Sequence, residues 1–169
     1  TFGGSGTGTF DGTLSGEGIF GKTGSGTVFL NGDHPHAGAF NISEGTLALN
    51  GTLGSTVRVS PNATFQALGA VLGTVDVSGS LVIPSPASSF ALRTTSAATG
   101  DRLTTPPLFT IGGDLTLNPG SMLALPVGSG PNPTIFVGGN ATLNGTTLNF
   151  DPLDAGNQRA TSFLALAAQ

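Results

Sequence analysis

Short apolar groups alternate with turn-forming residues along most of this chain. Between Gly12 and Gly51 each separator is built from Gly, Asn, Ser or Asp, and the apolar groups are Gly18-Ile19-Phe20, Thr27-Val28-Phe29-Leu30, Phe40-Asn41-Ile42 and Thr46-Leu47-Ala48-Leu49. Each group has the length of a minimal strand, and each separator favours a turn. No window repeats apolar residues at the three- and four-residue spacing of a helix. The pattern therefore predicts an all-β chain.

Period-two alternation continues in the next part of the chain. The couplet Val57/Val59 is followed by Val75/Val77, and Val57 and Val75 are eighteen positions apart. Ser-Pro-Asn and Ser-Gly, which are good turn formers, follow the two couplets. Alternation at period two places one side of each strand inward and the other outward.

A longer repeat relates residues 109–125 to residues 135–150. The glycine pair 112–113 recurs twenty-six positions later, and one deleted residue brings Leu148 and Phe150 into line with Leu123 and Leu125. Periods of this size, built only from strands, are typical of stacked solenoid coils. We expect a single-stranded right-handed parallel β-helix (a β-solenoid) with coils of about two dozen residues. A β-sandwich is the alternative.

The whole chain, 1–169, is expected to form one β-helical segment. Residues 84–107 contain four prolines and interrupt the strand rhythm, so we interpret them as a loop excursion from the solenoid. That excursion is either an interaction segment or a tolerated surface insertion. A shorter excursion is expected over residues 126–134.

Composition and charge exclude several classes of partner. The 169 residues include 28 Gly and no Cys, Trp or Tyr, and the net charge is −4. The five basic residues are scattered, so we expect no nucleic-acid partner. No apolar run approaches the ~20 residues of a membrane-spanning helix, so we expect no membrane insertion by this segment. The absence of cysteine is compatible with export of an unfolded chain.

The motif Lys22-Thr23-Gly24-Ser25-Gly26-Thr27-Val28-Phe29-Leu30-Asn31-Gly32, followed by Gly45-Thr46-Leu47-Ala48-Leu49, resembles the passenger-associated repeat of bacterial autotransporters. The loop 33–36 and Ala39 depart from that pattern. The resemblance extends over most of residues 12–166. It implies an extracellular segment on the bacterial cell surface, exported through the outer membrane. It also implies a stalk, adhesive or self-association role, with surface molecules of a host or neighbouring cell, or a second copy, as partners.

Candidate chemistry is sparse. His34 and His36 flank Pro35, and with Asp33 they are candidate zinc or copper ligands. The alternative is an exposed polar loop tip, and we expect no metal, no cofactor and no catalytic residues. The nine acidic residues are spread along the chain, which favours a non-catalytic protein. Two alternatives remain for the function: an end-to-end assembling subunit of an extracellular fibre, and a carbohydrate-active β-helix enzyme.

Overall fold

The computed structural model describes residues 1–84, 91–94, 109–127 and 134–152. Within these ranges the chain forms strands and no helix. The strands in chain order are β1 (Thr7–Phe10), β2 (Ile19–Lys22), β3 (Thr27–His34), β4 (Ala39–Ile42), β5 (Gly45–Leu53), β6 (Thr56–Val59), β7 (Ala63–Val71), β8 (Val75–Val77), β9 (Ser80–Val82), β10 (Ala91–Thr94), β11 (Phe109–Ile111), β12 (Leu115–Leu117), β13 (Met122–Val127), β14 (Thr134–Val137), β15 (Ala141–Leu143) and β16 (Thr147–Pro152). Consequently, the described residues contain no helix that could span a membrane.

Every strand pairing in the described part of the chain is parallel. One sheet has six strands in the order β15-β12-β8-β6-β4-β2, and the second sheet has ten. Successive strands of one sheet are separated in sequence by strands of the other, so the chain winds around a common axis. The predicted parallel β-helix is confirmed, and the β-sandwich of antiparallel sheets is wrong.

The helix has three faces because the long strands of the larger sheet bend. β7 pairs with β9 through Thr64–Gln66 and with β11 through Gly69–Val71, so it contributes to two faces. We call the six-stranded sheet the first face. The second face comprises β1, the first parts of β3, β5 and β7, and β9, β13 and β16. The third face comprises the last parts of β3, β5 and β7, with β11, β14 and β10.

The register shows how long a coil is. Thr7, Thr27, Thr46, Thr64 and Ser80 occupy equivalent positions, so these coils have 16 to 20 residues. The eighteen-residue match of Val57 to Val75 is confirmed, as is the alignment of Leu123 with Leu148. The expectation of two dozen residues per coil is wrong for most coils. The twenty-six-residue spacing arises where extra chain separates β13 from β14.

Inward side chains form continuous apolar columns along the axis. On the first face Phe40, Val57, Val75 and Leu115 are register partners, and each has no solvent exposure. The equivalent column of the second face is Leu47, Phe65, Leu81 and Leu123. Each coil therefore covers the apolar side chains of its neighbour, and the shared core holds the stack together.

Glycine is required where the second face turns into the third. Gly32, Gly51 and Gly69 are register partners in three successive coils. A Cβ atom on Gly51 would lie 2.0 Å from the carbonyl oxygen of Gly32, and one on Gly69 would lie 2.2 Å from the carbonyl oxygen of Gly51. Gly69 also has a φ of 110°, which side chains strongly disfavour. These contacts leave no room for a larger residue.

The two predicted excursions fall mostly outside the described residues. Within 84–107 the structure describes Pro84 and β10, and β10 pairs in parallel with β14. In the sheet order β10 follows β14, although it precedes β11 in the chain. Of the expected second excursion, residues 126–127 and 134 belong to β13 and β14, and the other residues lie outside the described ranges. The interpretation of 84–107 as an excursion stays a prediction.

Candidate functional site

Lys22 is a buried cation inside the solenoid. It ends β2 at an inward position whose register partner is Ile42, and only 1% of its surface is exposed. Its Nζ donates to the carbonyl oxygens of Thr23 at 3.0 Å, Gly24 at 2.5 Å and Glu44 at 3.2 Å. An ammonium group has three hydrogens, so these three acceptors can satisfy it completely.

The three carbonyls belong to turns of two successive coils, where the first face gives way to the second. Lys22 therefore ties one turn to the next. Burial lowers the pKa of Lys22 from its ordinary value, and the nearby Glu44 carboxylate partly offsets this effect. A Cβ atom on Gly45 would lie 2.8 Å from the Lys22 Nζ, so glycine makes room for the ammonium group.

His34 occupies an inward position on the third face. Its register partner is Leu53, followed by Val71 in the next coil, and the imidazole has no solvent exposure. The backbone N–H of Leu14 donates to His34 Nδ1 at 3.3 Å, whereas the buried Nε2 has no hydrogen-bond partner. Burial lowers the pKa of His34, with a smaller opposing effect from Asp33.

His36 is also fully buried, at the corner between the third and first faces. Its Nδ1 lies 2.6 Å from the Ser55 Oγ of the next coil, and that hydroxyl donates to the His36 carbonyl oxygen at 3.1 Å. The second hydrogen bond fixes the hydroxyl proton, so His36 Nδ1–H is the donor to Ser55. The buried His36 Nε2 has no partner.

The expectation of an exposed histidine loop tip is wrong. Both imidazoles lie inside the coil, whereas Asp33 is exposed on the outer side of β3. The structure does not bring the three candidate ligands to one site. Among the residues that the structure describes, no group of three or more His, Cys, Asp or Glu could hold a metal ion.

Aromatic rings surround the two histidines. The Phe20 ring meets His36 edge-on with centroids 4.8 Å apart, and the Phe10 ring lies 5.9 Å from His34. Phe2 packs against both Phe10 and Phe20, at 5.4 and 6.4 Å. The first coils therefore contain buried polar side chains among aromatic rings, whereas the columns of later coils are apolar.

The outer surface carries polar ladders. Asn50 Nδ2 donates to Asn31 Oδ1 at 3.0 Å, and Asn31 Nδ2 donates to Asp11 Oδ1 at 2.7 Å. On the first face Asn118 Nδ2 donates to Asp76 Oδ1 at 2.6 Å. These bonds connect residues in different coils, so the exposed polar side chains also reinforce the stacking.

On β1, β3, β5, β7 and β9, the outward positions of the second face that the structure describes carry no charged side chain. These positions include the register partners Thr7, Thr27, Thr46, Thr64 and Ser80. The parallel column contains Phe29, Gln66 and Val82, which are half-buried, and Ala48, which is buried. This surface presents hydroxyl groups at a regular spacing of about 4.8 Å per coil, beside a column of uncharged side chains.

A surface groove of about 450 Å³ lies beside the turns that Lys22 connects, and it is lined by Ser25, Ser43, Glu44, Gly45 and Asn62.

The other described acids are dispersed. Asp114, for example, uses Oδ1 to accept the backbone N–H of Asn140 at 2.8 Å. The Asp114 carboxylate is therefore a hydrogen-bond acceptor for a backbone N–H of the next coil.

The fold and its outer surface define an extended, coil-stacked β-solenoid. The Passenger-associated-transport-repeat family model matches residues 20–49. The matched residues run from β2 into β5, and they include Lys22, both histidines and the first corner glycine, Gly32. The resemblance to an autotransporter passenger repeat is confirmed.

A curated relative supports the same assignment. The chain is 48% identical over 58 residues to the Adhesin BmaC autotransporter of Brucella suis biovar 1 (strain 1330). The match covers 34% of this chain and 2% of that protein. No solved structure matches. The repeat and the relative together assign this segment to the bacterial cell surface, reached by export through the outer membrane.

Proposed function

We propose that this segment is a non-catalytic, rod-like part of a cell-surface adhesin, and that its uncharged second face is the adhesive surface. The observation that carries the proposal is the in-register column of Thr7, Thr27, Thr46, Thr64 and Ser80 on a solenoid that contains an autotransporter repeat. The name of the relative, an adhesin, supports an adhesive role.

The rigidity of the rod follows from its interior. The inward columns are continuous from coil to coil, and each coil is hydrogen-bonded to its neighbours through parallel strands. A body of this kind transmits force along its axis and repeats one surface many times. Many weak, identical contacts then add up when the partner is also repetitive or immobilised.

The partner that fits the second face is an uncharged surface molecule of a host or neighbouring cell. Charges lie elsewhere: Arg58 and Asp76 point outward on the first face, and Asp33 does so on the third. The second face from β1 through β9 therefore carries no attraction for strongly charged ligands. A second copy of the chain could also bind this surface through its own second face.

The test is an adherence assay with the purified chain on host cells and on bacterial cells. Thr46→Lys with Thr64→Lys places two charges on the second face, and we expect adherence to fall at least tenfold. Thr116→Lys with Thr142→Lys places the same charges on the outer side of the first face and should retain adherence. Equal adherence of both double variants would contradict the proposal. Sedimentation at rising concentration distinguishes self-association from binding to another molecule.

A further inference from the structure

A short segment, residues 11–18, covers the two buried histidines at the first coil. Leu14 in this segment is 5% exposed and belongs to the hydrophobic core. Three hydrogen bonds attach the segment to the following coil, and one of them is the exposed bond from Asn31 Nδ2 to Asp11 Oδ1 at 2.7 Å. Leu14 N–H donates to His34 Nδ1 at 3.3 Å, and Ala37 N–H donates to the Gly16 carbonyl oxygen at 2.9 Å.

The first bond requires His34 to be neutral. Because Nδ1 accepts the Leu14 N–H, the ring proton must lie on Nε2. A second proton, taken from solvent, can bind only at Nδ1. That proton would point at the Leu14 N–H, so the hydrogen bond would be replaced by a repulsive contact between two donors. The new charge would also lie in an interior without solvent access.

We propose that residues 11–18 are an acid-sensitive latch: protonation of His34 at Nδ1 breaks its bond to Leu14 and releases this segment from the solenoid. Release admits water to His34 and exposes the Phe10 and Phe20 rings. The later coils keep their apolar columns and stay folded. Acid therefore opens one end of the described stack rather than unfolding all of it.

The charged groups around His34 do not offset this effect. Asp33 precedes it on β3 but is exposed, and its carboxylate opposes the effect of burial only in part. The covering segment carries Asp11 and Glu17, which are both exposed. β5, which stacks beneath, contains no titratable residue. No buried carboxylate therefore faces the imidazole to stabilise its charged form.

His36 lies in the same interior and is fully buried. Its Nδ1–H is committed to the Ser55 hydroxyl, and its Nε2 is buried without a partner. Glu17 on the covering segment and Arg58 beyond Ser55 are exposed. The latch therefore depends on protonation of His34, whose Nδ1 is the acceptor for the Leu14 N–H.

The sign and size of the effect follow from linkage. Burial lowers the pKa of His34 in the closed state, so the open state binds a proton first. The closed latch keeps its full stability above about pH 6.5, the ordinary value for histidine. As pH falls below that value toward the lowered pKa, the opening constant should rise up to tenfold per pH unit for each proton bound.

Hydrogen exchange of the whole chain, corrected for intrinsic rates, tests the latch. Between pH 7.5 and 5.0 the amides of residues 13–17 should gain at least tenfold in relative exchange, while those of β7 stay constant. His34→Gln, which keeps an acceptor but does not titrate, should remove most of the pH dependence. Unchanged exchange at 13–17, or an equal rise in β7, would overturn the proposal.

A proton NMR titration of the wild-type chain gives a second measurement that needs no folded variant at position 34. His34 should titrate below pH 6.5. Asp33→Asn should lower its pKa further, because the opposing carboxylate is removed. A His34 pKa at or above 6.5 would contradict the latch.

Discussion

Replacing Lys22 by methionine removes the ammonium group and keeps a side chain of similar length. The inward position and its packing against Ile42 are retained. The variant loses the three hydrogen bonds from Nζ to the carbonyl oxygens of Thr23, Gly24 and Glu44. The variant therefore isolates the contribution of the buried cation to the contact between two successive turns.

The magnitude follows from the bonds and the burial. Bonds from a charged donor are stronger than average, but removing the ammonium also removes the cost of burying it. A net value of about 1 kcal/mol per bond gives a loss of about 3 kcal/mol. This value corresponds to roughly 150-fold in an opening equilibrium. The loss should be local, because a solenoid opens coil by coil.

Hydrogen exchange resolves such a local loss. In Lys22→Met the amides of β3 and of the first half of β5 should exchange roughly 150-fold faster than in the wild type, with β13 unchanged. Arg58→Met is the matched control, since it removes the same charge from an exposed position, and it should stay within about 0.5 kcal/mol of the wild type. If Lys22→Met were as well protected as the control, the structural role given to Lys22 would be refuted.

Two further predictions concern the corners and the core. Gly51→Ala should destabilise the chain by at least about 3 kcal/mol in urea unfolding, because its Cβ would lie 2.0 Å from the Gly32 carbonyl oxygen. Gly8→Ala, with nothing within 4 Å, is its control and should have little effect. Leu47→Ala removes most of a fully buried side chain between Val28 and Phe65. It should lower the free energy of unfolding by about 2 to 5 kcal/mol, measured by urea unfolding followed by far-UV circular dichroism. A cost below that of the outward Thr46→Ala would show that the inward assignment is wrong.

The architecture could be predicted because the determinants of a coil are local in sequence. Alternation of apolar residues at period two identified Val57, Val59, Val75 and Val77 as one side of their strands, and all four are buried. The glycine pairs twenty-six positions apart gave the correct register between Leu115 and Ala141. The coil length was overestimated because that pair spans extra chain between β13 and β14.

The buried polar side chains were not predicted. Residue polarity was given more weight than the inward or outward position of each residue in the strand. Lys22 was counted only as one of five scattered basic residues, although counting by two from Phe20 places it inward. The same count from Leu30 passes Gly32 and reaches His34, whose burial was not expected. The partners of Lys22 are turn carbonyls of two coils, and that of His36 Nδ1 is a serine of the next coil. Single-sequence reasoning does not align such partners.

Disulfide crosslinking tests the in-register stacking most directly, because the chain contains no cysteine of its own. Thr46 and Thr64 are register partners in adjacent strands, which lie about 4.8 Å apart. Cysteines at these two positions should form an intramolecular disulfide under mild oxidation, since their separation falls within disulfide range. Cysteines at Thr46 and Arg58, on different faces, should not. Failure of the first pair to crosslink, or equal crosslinking of both pairs, would contradict the three-faced parallel solenoid.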